Sequence, residues 1–226
     1  MIRQQVLEAN VELSRRGLAP FTFGNASAID RASGVVVIKP SGVPYETMTE
    51  RDLVAVDLDG NVVEGKRRPS SDLPTHLALY RAFDSIGGVV HAHSHYATVW
   101  AQAGREIPCF GTTHADYFHG PVPVTDPLTP EEIDGGYEAN TGVAIVRRLK
   151  GHDPLGCPAI LVAGHAPFCW GRSVTEAAHN AVIVEELAAM AWQTLTINPA
   201  AQPISQALHD KHHFRKHGPT ATYGQR

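Results

Sequence analysis

Hydrophobic positions recur at helical spacing in several parts of the chain. Val6, Ala9 and Leu13 fall on one helical face, which predicts an amphipathic helix over residues 3–16 that ends near Gly17. A longer run of this kind follows Ser173, a typical N-cap residue, and extends to about residue 195. Shorter helical patterns predict helices over residues 70–83, 96–103, 142–150 and 204–217, and a capping box begins a further one at residue 129.

Short β-branched or apolar runs lie between these helices and predict strands. One run covers residues 35–38, a second covers residues 87–90, and a third covers residues 159–163. Residues 53–56 and 62–63 are predicted to pair as a hairpin. Because helices and strands follow one another in mixed order, we expect an α/β fold with a central mixed β-sheet flanked by helices.

Composition and charge narrow the class of protein. The 226 residues are 43% hydrophobic and 19% charged, without repeats or low-complexity stretches, so we expect a single domain over residues 1–226. The formal net charge of −4 argues against a general nucleic-acid surface. We also expect no membrane-spanning segment and no signal peptide. Three cysteines without a CxxC motif favour a reducing cytoplasm, where they would be small buried side chains.

Two histidines, His91 and His93, follow one of the predicted strands. Because side chains alternate along a strand, both imidazoles are expected to point to the same side. His165 follows another predicted strand, and Asp72 opens a predicted helix. Three histidines and a carboxylate suit zinc, with manganese or cobalt as alternatives, better than calcium or magnesium. A His-x-His pair is also common among ordinary polar residues near the end of a sheet.

Three short polar segments have the composition of an anion-binding pocket. They offer a side-chain amide at a glycine turn, a lysine beside a hydroxyl and free backbone N–H groups, and two hydroxyls at a helix N-terminus. A helix N-terminus favours negative charge because its N–H groups are unpaired and the helix dipole is positive there. Each segment alone is also a common turn or cap. Together they predict a monophosphate site at Asn25, Lys39, Ser41, Gly42, Ser70 and Ser71.

Further candidate residues lie in the middle of the chain and in its basic tail. Thr112 and Asp116 lie in a segment without clear periodicity, where the aspartate is either an acid/base group or a solvated loop residue. His212 and Arg215 are three residues apart, so they share a helix face and can reach one ligand. A charge run of this kind is also typical of a solvated helix face. Tyr223 lies close to the end of the sequence.

In combination, these segments resemble the class II aldolase family, and the resemblance extends from the first helix to Gln225. The tail is similar to the branch of the family whose members are epimerases of pentulose 5-phosphates. The motifs that carry the resemblance are Gly24-Asn25-Ala26-Ser27, Lys39-Pro40-Ser41-Gly42, Ser70-Ser71-Asp72, His91-Ala92-His93-Ser94, Gly111-Thr112-Thr113-His114-Ala115-Asp116-Tyr117, Gly164-His165-Ala166-Pro167-Phe168 and His212-His213-Phe214-Arg215-Lys216-His217-Gly218 with Tyr223-Gly224-Gln225.

The resemblance implies a homotetramer with four-fold symmetry and active sites between neighbouring subunits. It implies that the anion-binding residues named above hold a substrate phosphate, and that Asp72 lies at or near the metal. It implies acid/base roles for Asp116 and for Tyr223, which the adjacent subunit would deliver. The remaining implied residues are the zinc ligands His91, His93 and His165 and the substrate-binding residues Thr112, His212 and Arg215.

The implied activity is zinc-dependent epimerisation at C4, which interconverts L-ribulose 5-phosphate and D-xylulose 5-phosphate through retro-aldol and aldol steps. Asp72 favours this branch, because the aldolases of the family typically have glutamate at that position. One alternative is a sugar-phosphate aldolase of the L-fuculose-1-phosphate type. Another is a non-catalytic module like the adducin head domain, which is expected to lack the three metal histidines.

Overall fold

The structure is a computed structural model that describes residues 1–217 and 221–222. Helices and strands alternate irregularly along the chain, as the hydrophobic pattern predicts. In chain order they are α1 (Ile2–Arg15), β1 (Asn25–Asp30), β2 (Val35–Ile38), β3 (Val54–Val56), β4 (Val62–Glu64), α2 (Leu73–Ala82), β5 (Gly88–His91), α3 (His95–Gln102), α4 (Thr112–Ala115), α5 (Pro130–Asp134), α6 (Tyr137–Arg148), β6 (Ala159–Leu161), β7 (Pro167–Gly171), α7 (Val174–Ile197) and α8 (Gln206–Lys216).

The seven strands form one sheet in the order β4-β3-β2-β1-β5-β7-β6. This arrangement confirms the predicted α/β class with a central sheet and flanking helices. Every pairing between these strands is antiparallel. Parallel pairing among the described residues is confined to the isolated bridge between Val124 and Leu161, so the expected mixture of strand directions is limited to that bridge. Short turns reverse the chain between β1 and β2, between β3 and β4, and between β6 and β7, which makes each of these pairs antiparallel, whereas residues 39–53 connect β2 to β3.

Strand β5, which lies between β1 and β7, shows how the two faces of the sheet are used. A Cβ on Gly88 would lie 2.3 Å from the backbone of Val174, so this position faces α7. His91 is three residues further on and therefore faces the opposite side. Helix α2 lies on that side, where Ser27 of β1 contacts Nδ1 of His76 at 2.7 Å, and α6 packs against α2. The histidine face is thus covered by α2 and the glycine face by α7.

Several predicted elements are confirmed within a few residues. They include the first helix, the hairpin β3–β4, the long helix α7 and the capping box at Thr129. Buried hydrophobic side chains from residues 6–191 form one core cluster, which supports our proposal of a single domain. The three cysteines are buried and free. Within the described part of the chain, no helix has the length and hydrophobicity that crossing a membrane requires.

Four elements differ from the prediction, and one of them is the short helix α4, which lies in a segment whose sequence has no clear periodicity. Helix α6 begins at Tyr137, five residues before the predicted start, because α5 ends at Asp134 and Gly136, with φ of 116°, is already the N-cap of the next helix. Strand β7 was not predicted, since five residues bounded by Pro167 and Gly171 carry little periodicity. Strand β6 ends at Leu161 because the chain turns there, with the Val162 N–H donating to the Ala166 carbonyl.

Gly24 is required where the chain enters β1, and replacing it tests the packing beside His91. Its φ is 81°, and a Cβ would lie 2.6 Å from the His91 carbonyl oxygen. Gly34 has a similar φ of 70° but no neighbour within 4 Å, so Gly34→Ala is the matched control. We expect the free energy of unfolding to fall by about 1–2 kcal/mol in both variants because of the positive φ. In Gly24→Ala it should fall by roughly 1–3 kcal/mol more because of overpacking. Urea unfolding measures both losses, and equal losses would contradict the packing argument.

Candidate active site

Three histidines converge at one end of the sheet. His91 is the last residue of β5, His93 lies in the extended segment before α3, and His165 lies in the turn between β6 and β7. The Nε2 atoms of His93 and His165 are 3.2 Å apart. One ring nitrogen from each of the three residues lies within 4.8 Å of the others. We call this cluster the histidine triad.

Neighbouring groups orient two rings of the triad. The Nδ1–H of His91 donates to the Pro167 carbonyl at 3.0 Å, and the ring stacks on Phe168 with centroids 4.2 Å apart. This contact follows from strand register, because His91 pairs with Phe168 across β5 and β7. The Tyr137 hydroxyl lies 3.0 Å from Nδ1 of His165. When Nδ1–H is the donor in both contacts, Nε2 keeps its free lone pair and becomes a better metal ligand.

The triad has the chemistry of a transition-metal site. Burial lowers the pKa of all three imidazoles, and that of His165 falls to about 4, so the rings are neutral at neutral pH. Neutral imidazoles are the form that binds metal. Zinc–nitrogen bonds of about 2.0–2.1 Å in a tetrahedral site place two ligand atoms about 3.3 Å apart. The separation of 3.2 Å between His93 and His165 fits that geometry.

Asp72 lies beside the triad at the N-cap of α2. Its Oδ2 accepts a hydrogen bond of 2.6 Å from the Asn25 amide, and its carboxylate is not among the ligand atoms that cluster within 4.8 Å. Burial alone would raise the pKa of Asp72, but the fields of His91 and His76 and the hydrogen bond from Asn25 hold it below its usual value. Asp72 is therefore an ionised neighbour of the triad, and its role as a direct ligand stays a prediction.

A cavity of about 410 Å³ joins the triad to every predicted phosphate-binding residue. Lys39 is the cation of this cavity. Lys39 is only 2% exposed. Its Nζ lies 3.4 Å from the Pro40 carbonyl oxygen and 4.7 Å from the centre of the Tyr45 ring. Burial lowers its pKa. A buried ammonium with such weak partners favours an anion in the cavity. The lining comprises Thr22, Phe23, Gly24, Asn25, Lys39, Pro40, Ser41, Gly42, Ser70, Ser71, Asp72, His91, His93, Tyr137, Glu138 and His165.

Asn25 contributes an acceptor to the same cavity. Its Nδ2 donates to Ser70 at 2.9 Å and to Asp72, whereas its Oδ1 is buried without a hydrogen-bond partner among the described residues. A buried acceptor left unpaired is costly, so a donor from a bound molecule is expected to satisfy it. A substrate hydroxyl has the required chemistry.

Sequence reasoning missed Tyr137 and Glu138, which line the cavity from the start of α6. The sequence predicts the next helix only from residue 142, beyond both residues. The hydrogen bond from Tyr137 to His165 connects two elements 28 residues apart, and no local pattern predicts it.

Replacing Tyr137 with phenylalanine removes this hydroxyl but keeps the ring. We expect the affinity for zinc to fall about 10–100-fold, the usual effect of removing a group that orients a metal ligand. The free energy of unfolding without metal should change by no more than about 1 kcal/mol. Competition with a chromophoric chelator measures the affinity. An unchanged affinity would show that the hydroxyl does not orient His165.

Asp116, His212 and Arg215 come together elsewhere, where α8 packs on α4. Oδ2 of Asp116 lies 3.0 Å from Arg215 Nη2 and 3.2 Å from Lys216 Nζ, and Oδ1 lies 3.1 Å from Nδ1 of His212. Burial would raise the pKa of Asp116, but hydrogen bonds from Arg215, His212 and Lys216 lower it. His212 and Arg215 thus reach one partner, as their spacing predicts, and that partner is a carboxylate of the same chain. Thr112 begins α4.

This second cluster does not line the cavity of its own chain. Tyr223, the other predicted acid/base residue, lies outside the described residues. The roles of Asp116, Thr112, His212, Arg215 and Tyr223 therefore stay predictions.

Comparison with known proteins agrees with the fold. The family described as "Class II Aldolase and Adducin N-terminal domain" matches residues 4–192. The chain belongs to the class II aldolase family, as its motifs predict. It is 58% identical over 225 residues to the L-ribulose-5-phosphate 4-epimerase UlaF of Salmonella paratyphi B, covering 100% of this chain and 99% of the relative. It is 57% identical to the protein of the same name from Salmonella typhi, again covering 100% of this chain and 99% of the relative.

Solved structures of the family share the fold. An L-fuculose 1-phosphate aldolase superposes with a TM-score of 0.81 at 26% identity, covering 95% of each chain. The L-fuculose-1-phosphate aldolase of Thermus thermophilus superposes with a TM-score of 0.71 at 24% identity, covering 90% of this chain and 98% of the other. The aldolase structures therefore share the architecture, whereas the much higher identity is to the epimerases.

Proposed function

We propose that the protein is an isomerase, an L-ribulose-5-phosphate 4-epimerase that converts L-ribulose 5-phosphate and D-xylulose 5-phosphate into each other. The observation that carries this proposal is the single cavity in which the histidine triad faces the buried Lys39. Identity of 58% over the whole chain to an epimerase of that name supports this reaction over aldol cleavage. The triad weighs against a non-catalytic, adducin-like module.

The substrate itself restricts the mechanism. The hydrogen on C4 is not acidic, because no carbonyl is adjacent to C4, so simple removal and return of that proton faces a high barrier. Removing the proton of the C4 hydroxyl instead breaks the C3–C4 bond and leaves its electron pair in an enediolate of dihydroxyacetone. The other product is glycolaldehyde phosphate. Rotation of its aldehyde and renewed bond formation on the other face invert C4 and return the proton to the C4 oxygen.

Residues of the cavity match these requirements. Lys39, Ser41, Gly42, Ser70 and Ser71 would hold the phosphate, so that glycolaldehyde phosphate stays bound while its aldehyde rotates. Zinc, or manganese or cobalt, would be held by the triad and would supply Lewis-acid stabilisation of negative charge on oxygen. Asn25, predicted above to bind the phosphate, already donates its Nδ2 to Ser70 and Asp72 and offers only the acceptor Oδ1, so we assign it instead a hydrogen bond from a substrate hydroxyl that would orient the sugar.

Inversion at one carbon needs an acid and a base on opposite faces of the aldehyde. We assign these roles to Asp116 and Tyr223. Because Asp116 does not line the cavity of its own chain, it would serve the cavity of a neighbouring subunit in a homotetramer. His212 and Arg215 would hold the Asp116 carboxylate in position, and Thr112 would contact substrate from the same side. Three free cysteines and a phosphorylated substrate support a cytoplasmic location.

Mixing two inactive variants tests the shared site. His93→Ala damages the triad and Asp116→Asn damages the second cluster, so each homotetramer should be nearly inactive. In mixed tetramers, some sites would combine an intact triad with an intact Asp116 from the neighbour. We expect turnover to reappear after subunit exchange and to be absent when either variant is mixed with itself. Absence of recovery in tetramers shown to be mixed would place both residues in one chain's site.

Product identification tests the proposed reaction. Purified protein is incubated with L-ribulose 5-phosphate and, separately, with L-fuculose 1-phosphate, and the products are assigned by NMR. The proposal predicts D-xylulose 5-phosphate from the first substrate and no cleavage of the second. Release of dihydroxyacetone phosphate from L-fuculose 1-phosphate would instead support the aldolase, and no reaction of the metal-loaded protein with either would support the module.

A further inference from the structure

A second group of metal-binding side chains lies where α8 meets the turn after α4. It consists of His119 from that turn and of His209 and Asp210 from α8. One ligand atom from each residue lies within 4.8 Å of the others. None of the three lines the cavity of the histidine triad. We propose that His119, His209 and Asp210 form a second binding site for a divalent transition metal, separate from the active site.

The distances between these groups are those of ligands around one ion. Nε2 of His119 lies 3.3 Å from Oδ1 of Asp210, and Nδ1 of His209 lies 3.5 Å from the same oxygen. Both separations exceed the 2.7–2.9 Å that is typical of a hydrogen bond between a cationic N–H and a carboxylate. They match the edge of about 3.3 Å expected for a tetrahedral site with bonds of about 2.0–2.1 Å.

Surrounding groups orient the ligands for this role. Nε2 of His209 lies 3.0 Å from the Phe118 carbonyl, and donating a proton there leaves Nδ1 with a free lone pair toward Asp210. In the other tautomer Nε2 accepts the Gly120 N–H at 3.0 Å, so a metal would select the first form. Gln206 Nε2 donates to Oδ1 of Asp210 at 2.7 Å, the oxygen that faces both histidines, and this hydrogen bond orients the carboxylate.

The site is closed toward the protein and open toward water. The His209 side chain is 6% exposed, whereas those of His119 and Asp210 are 45% and 40% exposed. An ion can therefore enter from solvent and complete its coordination with water. An ion bound by both His119 and His209 would hold α8 against the turn after α4. It would close a loop between positions 90 residues apart in sequence and so restrict the separation of these two segments. Since α8 also carries His212 and Arg215, the ion would stabilise the cluster around Asp116.

Metal counting on the full-length protein tests this site. Wild type is dialysed against micromolar Co²⁺, and bound cobalt per chain is measured by mass spectrometry. His119→Ala and Asp210→Asn each remove one ligand, and His152→Ala, an exposed histidine outside both sites, is the matched control. Hydrogen exchange of the α8 backbone amides is followed in the same samples.

We expect two equivalents of cobalt in wild type and in His152→Ala, and one in His119→Ala and in Asp210→Asn. Exchange in α8 should slow as the second equivalent binds to wild type and should not respond in the two ligand variants. His93→Ala should lose the other equivalent and keep this one, so the two sites are judged separately. The proposal is overturned if wild type binds no second equivalent of cobalt that is also kept by His93→Ala. It is also overturned if that equivalent is still bound in both His119→Ala and Asp210→Asn.

Discussion

Replacing His93 with alanine is expected to abolish metal binding at the triad and to lower turnover of L-ribulose 5-phosphate by at least about 10³-fold. His93 Nε2 is 3.2 Å from the matching nitrogen of His165, and its loss removes one of the three ligand atoms of the triad. Lewis-acid catalysis contributes several kcal/mol to transition-state stabilisation, and each 1.4 kcal/mol is a factor of ten in rate. Turnover and metal content are measured on the same preparation.

His95→Ala is the matched control for this experiment. His95 is an exposed histidine only two residues further on, at the first position of α3. It should keep wild-type metal content and turnover. If metal-depleted His93→Ala kept full turnover, the triad would have no part in the reaction.

Replacing Lys39 with methionine is expected to impair function and to increase stability. Hydrogen bonds to charged groups are worth about 1.5–3 kcal/mol, so KM for L-ribulose 5-phosphate should rise by roughly 10–150-fold. Without substrate, the free energy of unfolding should rise, because methionine removes a buried ammonium and keeps the volume. Substrate binding should therefore weaken while the free energy of unfolding rises, which is typical of a residue retained for binding.

The pH dependence of stability gives the sign of the Lys39 effect. Burial lowers the pKa of Lys39 below its unfolded value, so the folded state disfavours the charged amine. The resulting penalty is present below the folded-state pKa and disappears as the pH rises from that value toward about 10.5. The gain in Lys39→Met over wild type should shrink over the same range. Lys66→Met, at an exposed lysine, should leave both stability and KM unchanged, and a fall in stability in Lys39→Met would contradict the argument.

Local patterns in the sequence singled out the three histidines and the polar segments that line the cavity, and the family resemblance joined them into one predicted site. Strand alternation placed His91 and His93 on one side, and the caps and glycine turns marked Ser70 and Gly42, because these are short-range effects of backbone geometry. The same reasoning predicted α1, the β3–β4 hairpin and α7, where the hydrophobic period is long and regular.

Contacts between distant segments could not be predicted in this way. Tyr137 contacts His165 from the first position of α6, directly after the N-cap Gly136. Gly142 lets α6 pack closely on α2, because a Cβ on Gly142 would lie 2.5 Å from Ala78. Asp116 likewise gains its partners from α8, about one hundred residues away. Such pairs depend on tertiary packing, for which one sequence contains no periodic signal.

The central claim is that the triad and the anion cavity together catalyse a metal-dependent epimerisation. The most direct test measures formation of D-xylulose 5-phosphate from L-ribulose 5-phosphate by wild type as purified, after removal of metal with a chelator, and after addition of zinc. We expect turnover to be lost with the metal and to return in proportion to the zinc bound at the triad. Undiminished turnover after metal has been removed from every chain would contradict the account.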